Sequence, residues 1–238
     1  MNEPFFYVPD LKNSGDRFRL DEASSKHCVQ VLRRRPGDQV MLTDGKGMKC
    51  LSVIENADKR NCEVSITHTE QVSPFSPGPA IAVAFTKHLS RVEWFIEKAT
   101  EIGIAEIFPL QCARSERIHY NPGRLHNIMV SAMLQSQQYY LPELHETISL
   151  EDFVQQDSVV RNRYIAHCGD GDKVFLGKAL ESKGQSLVLI GPEGDFTPPE
   201  IDLAFSKGYR PVSLGRNRLR TETAALVACV LMNAVNPG

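Results

Sequence analysis

Several short motifs that would assign a reaction are missing from this sequence of 238 residues. There is no G-x-G-x-x-G after the first predicted strand of an α/β unit, no G-x-x-x-x-G-K-[ST] and no G-x-S-x-G. The first two motifs bind dinucleotides and nucleoside triphosphates through backbone N–H groups, and the third presents a nucleophilic serine. A Rossmann dinucleotide enzyme, a P-loop NTPase or kinase, and a serine hydrolase are therefore disfavoured.

Metal-binding and disulfide patterns are missing as well. The six cysteines include no C-x-x-C pair, and the seven histidines include no H-E-x-x-H. Cysteines scattered in this way are typical of free thiols in a reducing compartment, so we predict no metal site. The cysteines are Cys28, Cys50, Cys62, Cys112, Cys168 and Cys229.

Long apolar runs and a strong charge of one sign are also absent. The longest strongly apolar run, residues 224–232, is too short to span a bilayer, and the acidic, proline-containing start is unlike a signal peptide. We therefore expect a cytoplasmic protein. Because the net charge is only −2, any RNA site must be local. Arg33, Arg34 and Arg35 form one basic cluster and residues 210–220 another, although a solvated surface is the ordinary alternative for such clusters.

The chain length predicts two domains. Residues 1–72 alternate short β-like runs (FFYV, HCVQVLR, QVMLT, CLSVI and CEVSITH) with turns, which predicts a small β-barrel. Within this domain we predict a helix over residues 24–32 and a hairpin turn at Asp44-Gly45. Three prolines, two serines and a glycine in residues 73–79 indicate a linker.

Residues 80–238 alternate strands with amphipathic helices, which predicts an α/β domain with a mainly parallel sheet. Helices are expected over residues 90–103 and 124–138. A further helix should begin at a capping box formed by Thr197 and Glu200 and should end at Gly208.

Ligands of parallel α/β sheets bind beyond the carboxyl ends of the strands, so the loops there are the candidate site. Three loops stand out: residues 191–196 (GPEGDF), 215–222 (GRNRLRTE) and 167–170 (HCGD). The first allows close backbone approach to a flat heterocycle, with a tight turn as the alternative. The second brings arginines to the start of an apolar helix, where Arg220 has no evident structural duty and Thr221 and Glu222 could instead serve as caps.

At these loops the sequence resembles the RsmE family of 16S ribosomal RNA uridine-N3 methyltransferases, in the SPOUT superfamily. The resemblance is carried by LIGPEGDFTPPEI (residues 189–201), SLGRNRLRTETAAL (residues 213–226) and EKATEIGIAEIFPLQCARSER (residues 97–117). HCVQVLRRRPGD and DGKG in the first domain resemble the same family.

The resemblance implies a PUA-like barrel that helps to hold RNA, followed by an α/β domain with a C-terminal trefoil knot. The methyl donor, S-adenosylmethionine, would bind in the knot, in a pocket completed by a second subunit of a homodimer. The residues implied for this pocket are His167, Ile190, Gly191, Glu193, Gly194, Leu214, Gly215, Leu219, Arg220 and Thr221.

The implied reaction is methylation of one uridine N3 in the decoding region of 16S rRNA of the small ribosomal subunit. Arg220 is expected to stabilise charge on the uracil, and Glu222 or Glu193 to accept the N3 proton. The expected RNA contacts are Arg33, Arg34, Arg35, Arg114 and Arg117.

The sequence departs from the family pattern at two places. Residues 134–138 read LQSQQ where many relatives have E-Q-s-x-R, and Glu3-Pro4 stand where relatives often have an arginine. RNA contacts are therefore less firmly implied than the donor pocket. A knotted methyltransferase for another RNA and a non-catalytic RNA-binding assembly protein remain open, with a small-molecule enzyme as a more distant alternative.

Overall fold

The computed structural model of the chain describes residues 3–11, 17–74, 78–116, 118–155, 162–181 and 184–235. Contacts divide the chain into two compact units, Met1–Pro74 with Met133–Leu141, and Phe75–Ala132 with Pro142–Gly238. The first unit therefore includes a segment from the middle of the chain, which the sequence did not indicate. Of the expected linker, residues 75–77 lie outside the described residues.

The first unit is built on a curled five-stranded sheet. Its strand order is β1-β3-β4-β5-β2, in which β1 and β3 are parallel and the other pairs are antiparallel. Register shifts in the pairing of β4 with β5 bend the sheet around one apolar core. The strands are β1 (Phe5–Tyr7), β2 (Arg17–Arg19), β3 (Gln39–Thr43), β4 (Met48–Asn56) and β5 (Glu63–Gln71).

The predicted hairpin turn between β3 and β4 is confirmed. Asp44 is buried there, and its Oδ1 accepts the backbone N–H groups of Lys46 and Met48 at 2.7 and 3.0 Å. Gly45 and Gly47 have φ values of +69° and +95°, a conformation that glycine adopts without strain.

Residues 22–31 form one helical segment in two parts. Helix α1 (Glu22–Lys26) begins at Asp21, whose carboxylate accepts the Ser24 N–H at 2.7 Å, and it continues as a π-helix over His27–Val31. The helix expected near residues 24–32 is therefore confirmed, whereas a strand at HCVQVLR is wrong. The buried Ser25 hydroxyl donates to the Leu20 carbonyl and accepts the Cys62 N–H, which fixes the helix on the sheet.

The second unit contains a sheet of eight described strands, and every described pair in it is parallel. The order is β11-β13-β10-β12-β6-β7-β8, and β9 also pairs with β7. The strands are β6 (Ala80–Ala84), β7 (Glu106–Gln111), β8 (Glu143–Leu144), β9 (Ile148–Ser149), β10 (Asn162–Ala166), β11 (Val174–Phe175), β12 (Ser186–Ile190) and β13 (Arg210–Ser213).

Helices cover both faces of this sheet, which explains why β6 and β12 are buried along their whole length. Ala80, Ala82 and Ala84 point into a core shared with α4 and α6, whereas Val83, of opposite parity, lies beside α2 and the start of α7. The helices are α2 (Leu89–Ile102), α3 (Pro122–Gln135), α4 (Leu150–Gln155), α5 (Leu176–Ala179), α6 (Pro198–Ser206) and α7 (Thr221–Val235).

The expected helix boundaries are mostly confirmed. Glu200 accepts the Thr197 N–H and hydroxyl at 2.7 and 2.8 Å in the predicted capping box of α6, and Gly208 follows the helix with a φ of +82°. Helix α3 ends three residues earlier than expected, before Gln137, whose φ is +57°. No helix in the described ranges is long and apolar enough to cross a membrane. The knot stays a prediction.

Gly47 allows a test of packing in the first unit. A Cβ at Gly47 would overlap the Tyr140 hydroxyl, which donates to the Val72 carbonyl at 2.8 Å. Gly37→Ala is the matched control, because Gly37 has a similar φ of +91° with no atom within 4 Å of a Cβ. The left-handed backbone should cost both variants about 1–2 kcal/mol of unfolding free energy. Overpacking should cost Gly47→Ala roughly 1–3 kcal/mol more, measured by urea denaturation. Equal losses would show that Tyr140 moves aside freely.

Candidate active site

The candidate site lies where five neighbouring strands of the second unit end. Strands β13, β10, β12, β6 and β7 are adjacent and parallel, so their carboxyl ends share one edge of the sheet. The three loops singled out in the sequence follow β12, β13 and β10. The topology therefore brings residues from distant parts of the sequence to one edge.

Close packing and an uncommon φ angle constrain the backbone of the loop after β12. A Cβ at Gly191 would lie 3.1 Å from the backbone nitrogen of the buried Phe196, so only glycine fits there without a shift. Asp195 has a φ of +62°, in the left-handed region that aspartate tolerates better than most residues. This conformation is stabilised by contacts with two other loops.

Asp195 connects the loop after β12 to the loop after β10. Its Oδ2 accepts the Cys168 N–H at 2.7 Å, and its Oδ1 accepts the Phe196 N–H at 2.9 Å. On the other side, the Arg114 guanidinium donates to the Gly194 carbonyl at 2.6 Å. Arg114, expected to contact RNA, is thus bound to the candidate donor loop, with donors left over for a second partner.

The start of α7 is attached to the same loop. The Thr221 hydroxyl donates to the Gly191 carbonyl at 3.2 Å, and Thr221 is buried. The carbonyl of Arg220 accepts the Ala224 N–H at 2.8 Å, which makes Arg220 the residue at the helix boundary. Its guanidinium is exposed and has no partner among the described residues. A positive charge is thus held at a helix N-terminus, where anions are already favoured.

His167 follows β10 and is half-buried beside the ring of Phe205, with centroids 5.9 Å apart. Both of its ring nitrogens are inaccessible to water and have no hydrogen-bond partner among the described residues. Burial lowers the pKa of His167, and the positive charge of Lys173 lowers it further. The imidazole is therefore neutral at pH 7, with one donor and one acceptor unused.

Glu222 occupies the first turn of α7 and is only 8% exposed. Its Oε1 lies 3.6 Å from Nε of Arg91 on α2, and its Oε2 is buried without a hydrogen-bond partner among the described residues. The Thr86 hydroxyl lies in the loop after β6. It is also buried and has no hydrogen-bond partner among the described residues. Thr86 and Glu222 line one small cavity with Val83, Val92 and Phe95.

The structure brings together most of the residues that the resemblance implies. Ile190 ends β12 and is buried, whereas Glu193, Gly194, Gly215 and Arg220 are exposed on the loops. Leu214 and Leu219 are half-buried on the loop after β13. Gly215 has a φ of +136°, so a side chain there would strain the turn.

Most of the expected RNA contacts are not part of this edge. Arg33, Arg34 and Arg35 belong to the first unit, in the turn after the π-helix, and Arg117 lies outside the described residues. Arg33 and Arg35 are exposed, whereas Nε of Arg34 is buried without a partner among the described residues. The three arginines therefore do not form one uniform stripe.

Two residues of the site were missed in the sequence. Asp195 had a signal, because an aspartate after glycine in a tight turn favours the left-handed region and caps local N–H groups. Arg91 had none, because its distance to Glu222 depends on how α2 packs against α7.

One group in the described part of the chain has a geometry that a metal ion could use. Ligand atoms of Glu106, Glu143 and His145 lie within 4.8 Å of one another, and His145 Nε2 is 3.0 Å from Glu106. Glu106 is the first residue of β7, at the opposite end of the strand from the candidate site. The prediction that no metal is bound stays a prediction.

The candidate site fits the donor that the resemblance implies. Gly215 is exposed and has no atom within 4 Å of a Cβ position, so its backbone is open to a ligand, and the imidazole of His167 has a donor and an acceptor without partners among the described residues. The exposed carboxylate of Glu193 lies on the same loop and can pair with a cation.

Two family models match this chain. Residues 76–233 match the family described as RNA methyltransferase domain, and residues 20–67 match the RNA methyltransferase PUA domain. The chain is 30% identical over 224 residues to Ribosomal RNA small subunit methyltransferase E of Synechocystis sp., covering 91% of this chain and 72% of that protein.

Two solved structures share the whole architecture. The "probable rRNA-methyltransferase" of Porphyromonas gingivalis has a TM-score of 0.90 and 37% identity, covering 98% of both chains. Ribosomal RNA small subunit methyltransferase E of Neisseria gonorrhoeae, solved with bound S-adenosylmethionine, has a TM-score of 0.84 and 26% identity, covering 99% of this chain and 98% of that one. With both domain families matched, the chain belongs to the RsmE family of ribosomal RNA small subunit methyltransferases, which joins a PUA-like domain to a SPOUT α/β domain and uses S-adenosylmethionine.

Proposed function

We propose that this protein transfers a methyl group from S-adenosylmethionine to N3 of one uridine in the decoding region of 16S rRNA. The observation that carries the proposal is the junction of the two family motifs, where Thr221 donates to the Gly191 carbonyl. This junction holds the exposed guanidinium of Arg220 at the boundary of α7 and the buried carboxylate of Glu222 in the first turn of the same helix.

The loops after β10, β12 and β13 are assigned to donor binding. When bound, S-adenosylmethionine supplies an electrophilic methyl group on a sulfonium and becomes a neutral thioether. Gly215 has no atom within 4 Å of a Cβ position, so its backbone is open to the donor, and His167 follows the neighbouring strand as a neutral imidazole. The rigid links through Asp195 and Thr221 keep these groups in place before binding.

Uridine N3 carries a proton at neutral pH, so it must lose that proton as the N–C bond forms. Glu222 is assigned as the acceptor because its Oε2 has free lone pairs in a site with little water. Arg91 holds the other oxygen by an ion pair of 3.6 Å, which orients the carboxylate. The exposed Glu193 has neither of these features, so it is the weaker candidate.

Arg220 is assigned to the uracil. Removal of the N3 proton leaves negative charge on the ring and its carbonyl oxygens, and a guanidinium can stabilise this charge by donating to one of these oxygens. The Arg220 side chain is free for this role, because it has no partner among the described residues. The uridine must be unpaired or extruded, since pairing buries N3.

A homodimer that completes the donor pocket is part of the proposal. Trp94 on α2 and Val230 on α7 are 42% and 47% exposed, more than large apolar side chains usually are. Light scattering after size exclusion is expected to give twice the mass of one chain.

Labelled methyl transfer to unmodified small subunits, large subunits and transfer RNA tests the proposal directly. Mass spectrometry of the product is expected to place the label on one uridine N3 of 16S rRNA. Label in another RNA would replace the substrate and keep the donor site. No label in any RNA, together with no donor binding by calorimetry, would favour a non-catalytic RNA-binding protein.

Arg220→Ala is expected to lower kcat by about 100- to 1,000-fold, as the loss of one preorganised donor to a developing anion does. The dissociation constant for S-adenosylmethionine, measured by calorimetry, should change less. Arg60→Ala removes an exposed guanidinium from the turn between β4 and β5 and is the matched control. Near-normal turnover of Arg220→Ala would remove Arg220 from the mechanism.

Glu222→Gln keeps the shape of the side chain and removes the proton acceptor. We expect kcat to fall by about 100-fold or more at pH 7. This loss should shrink as the pH rises, because hydroxide then removes the N3 proton instead. Glu151→Gln makes the same change at an exposed carboxylate on α4 and is the matched control. A loss that is the same at every pH would assign Glu222 to structure alone.

A further inference from the structure

The first unit contains an open pocket of about 550 Å³ that has no part in the assignments above. It lies between β1, the helical segment of residues 22–31 and residues 134–137, at the end of α3. Both places where the sequence departs from the family pattern line this pocket. The lining residues that matter for its chemistry are Glu3, Phe5, Ser24, His27, Gln135 and Gln137.

The lining combines flat apolar groups with neutral hydrogen-bonding groups. The His27 side chain is exposed, and Phe5 packs edge-on against Tyr139 at 5.2 Å, which fixes its ring. The side chains of Gln135 and Gln137 have no hydrogen-bond partner among the described residues. Each carboxamide can both donate and accept, as the edge of a nucleobase does.

The same lining disfavours a phosphate group. Its residues include no lysine or arginine, and Glu3 contributes a carboxylate. Bound anions need cationic side chains or converging N–H groups, and a carboxylate would repel them. The volume falls within the range of roughly 300–1,000 Å³ that is usual for small-ligand pockets. A flat, neutral ring with donors and acceptors at its edge matches these properties.

The backbone around the pocket is in uncommon conformations. His27 belongs to the π-helix, a rare form that is frequent at functional sites. Gln137 has a φ of +57°, and Arg33, which directly follows the lining residue Leu32, has a φ of +54°. Side chains at positive φ cost free energy, so such positions are retained where the surroundings or a function require them.

Charges beside the pocket complement RNA. Arg33 and Arg35 are exposed in the turn that follows Leu32, so cationic groups lie next to a pocket whose lining has no lysine or arginine. Contacts of arginines with phosphates supply affinity without sequence information, whereas contacts with bases supply specificity. A single-stranded RNA that places phosphates on the turn can place a base in the adjoining pocket.

We propose that this pocket binds one unstacked nucleobase of a single-stranded segment of the RNA substrate, with its face on His27 and its edge on the carboxamides of Gln135 and Gln137. The base is distinct from the uridine that is methylated. This inference rests on the proposed function in one respect, namely that the substrate is RNA.

The test uses the full chain and a fluorescein-labelled single-stranded RNA of about ten nucleotides, read by fluorescence anisotropy. A matched series of RNAs lacks the base at one position at a time. His27→Ala is expected to weaken binding of the complete RNA about tenfold, the usual effect of losing one base stack. Removing the base at one position should weaken binding to the unaltered protein by a similar factor and have little effect on His27→Ala.

Two further variants test whether the effect of His27→Ala comes from the pocket. His68→Ala, which removes an exposed histidine from β5, should bind as the unaltered protein does. Ala23→Trp fills the pocket from α1 and should weaken binding as His27→Ala does. None of these changes should alter the salt dependence of binding, because no phosphate contact is lost. Equal base-removal effects in the unaltered protein and in His27→Ala would overturn the proposal.

Methyl transfer to small subunits separates this inference from the proposed function. If the unaltered protein methylates rRNA but His27→Ala and Ala23→Trp bind RNA normally, the pocket inference fails alone. If no RNA is methylated but the base-dependent binding is present, the proposed function fails and the pocket inference stands.

Discussion

The hydrogen bond from the Thr221 hydroxyl to the Gly191 carbonyl is the contact on which the candidate site depends. It joins the first turn of α7 to the loop after β12, so the positions of Arg220 and Glu222 are set relative to the glycine loop. Both groups of the bond are buried, and an unmade hydrogen bond there would cost about 1–3 kcal/mol. The ion pair between Arg91 and Glu222 then adds α2 to the same junction.

A glycine, Gly191, and a residue with a left-handed backbone, Asp195, together determine the conformation of the loops around this junction. Gly191 lets Phe196 pack directly against the loop, and that packing leaves Asp195 in the left-handed region. Asp195 in turn accepts the Cys168 N–H and fixes the loop that carries His167. The close packing of Phe196 against the backbone of Gly191 therefore helps to fix the conformations of three loops. A site built in this way loses little conformational entropy when a ligand binds.

The parts of the fold that the sequence predicted are those set by local chemistry. The Asp44 turn, the capping box of Thr197 and Glu200, and the alternation of strands and helices after residue 80 each depend on neighbours in sequence. The π-helix was harder to predict, because the β-branched and apolar residues of the HCVQVLR stretch are also typical of a strand. Its conformation is fixed by the buried Ser25 and Cys28. The partner of Glu222 and the place of residues 133–141 in the first unit depend on tertiary packing, and no spacing in the sequence encodes them.

Charge is distributed in a way that suits recognition of RNA by a chain with a net charge of −2. Six of the 16 arginines are grouped in two short segments, at residues 33–35 and 216–220, so local positive charge exists although the whole chain is slightly acidic. Small groups of cations limit binding to arbitrary polyanions, whose affinity grows with the number of phosphates neutralised. Selectivity must then come from groups that contact bases. Neutral amides and a ring beside Arg33 are suited to that task, because the amides can pair with the edge of a base and the ring can stack on its face, while the carboxylate of Glu3 repels a phosphate.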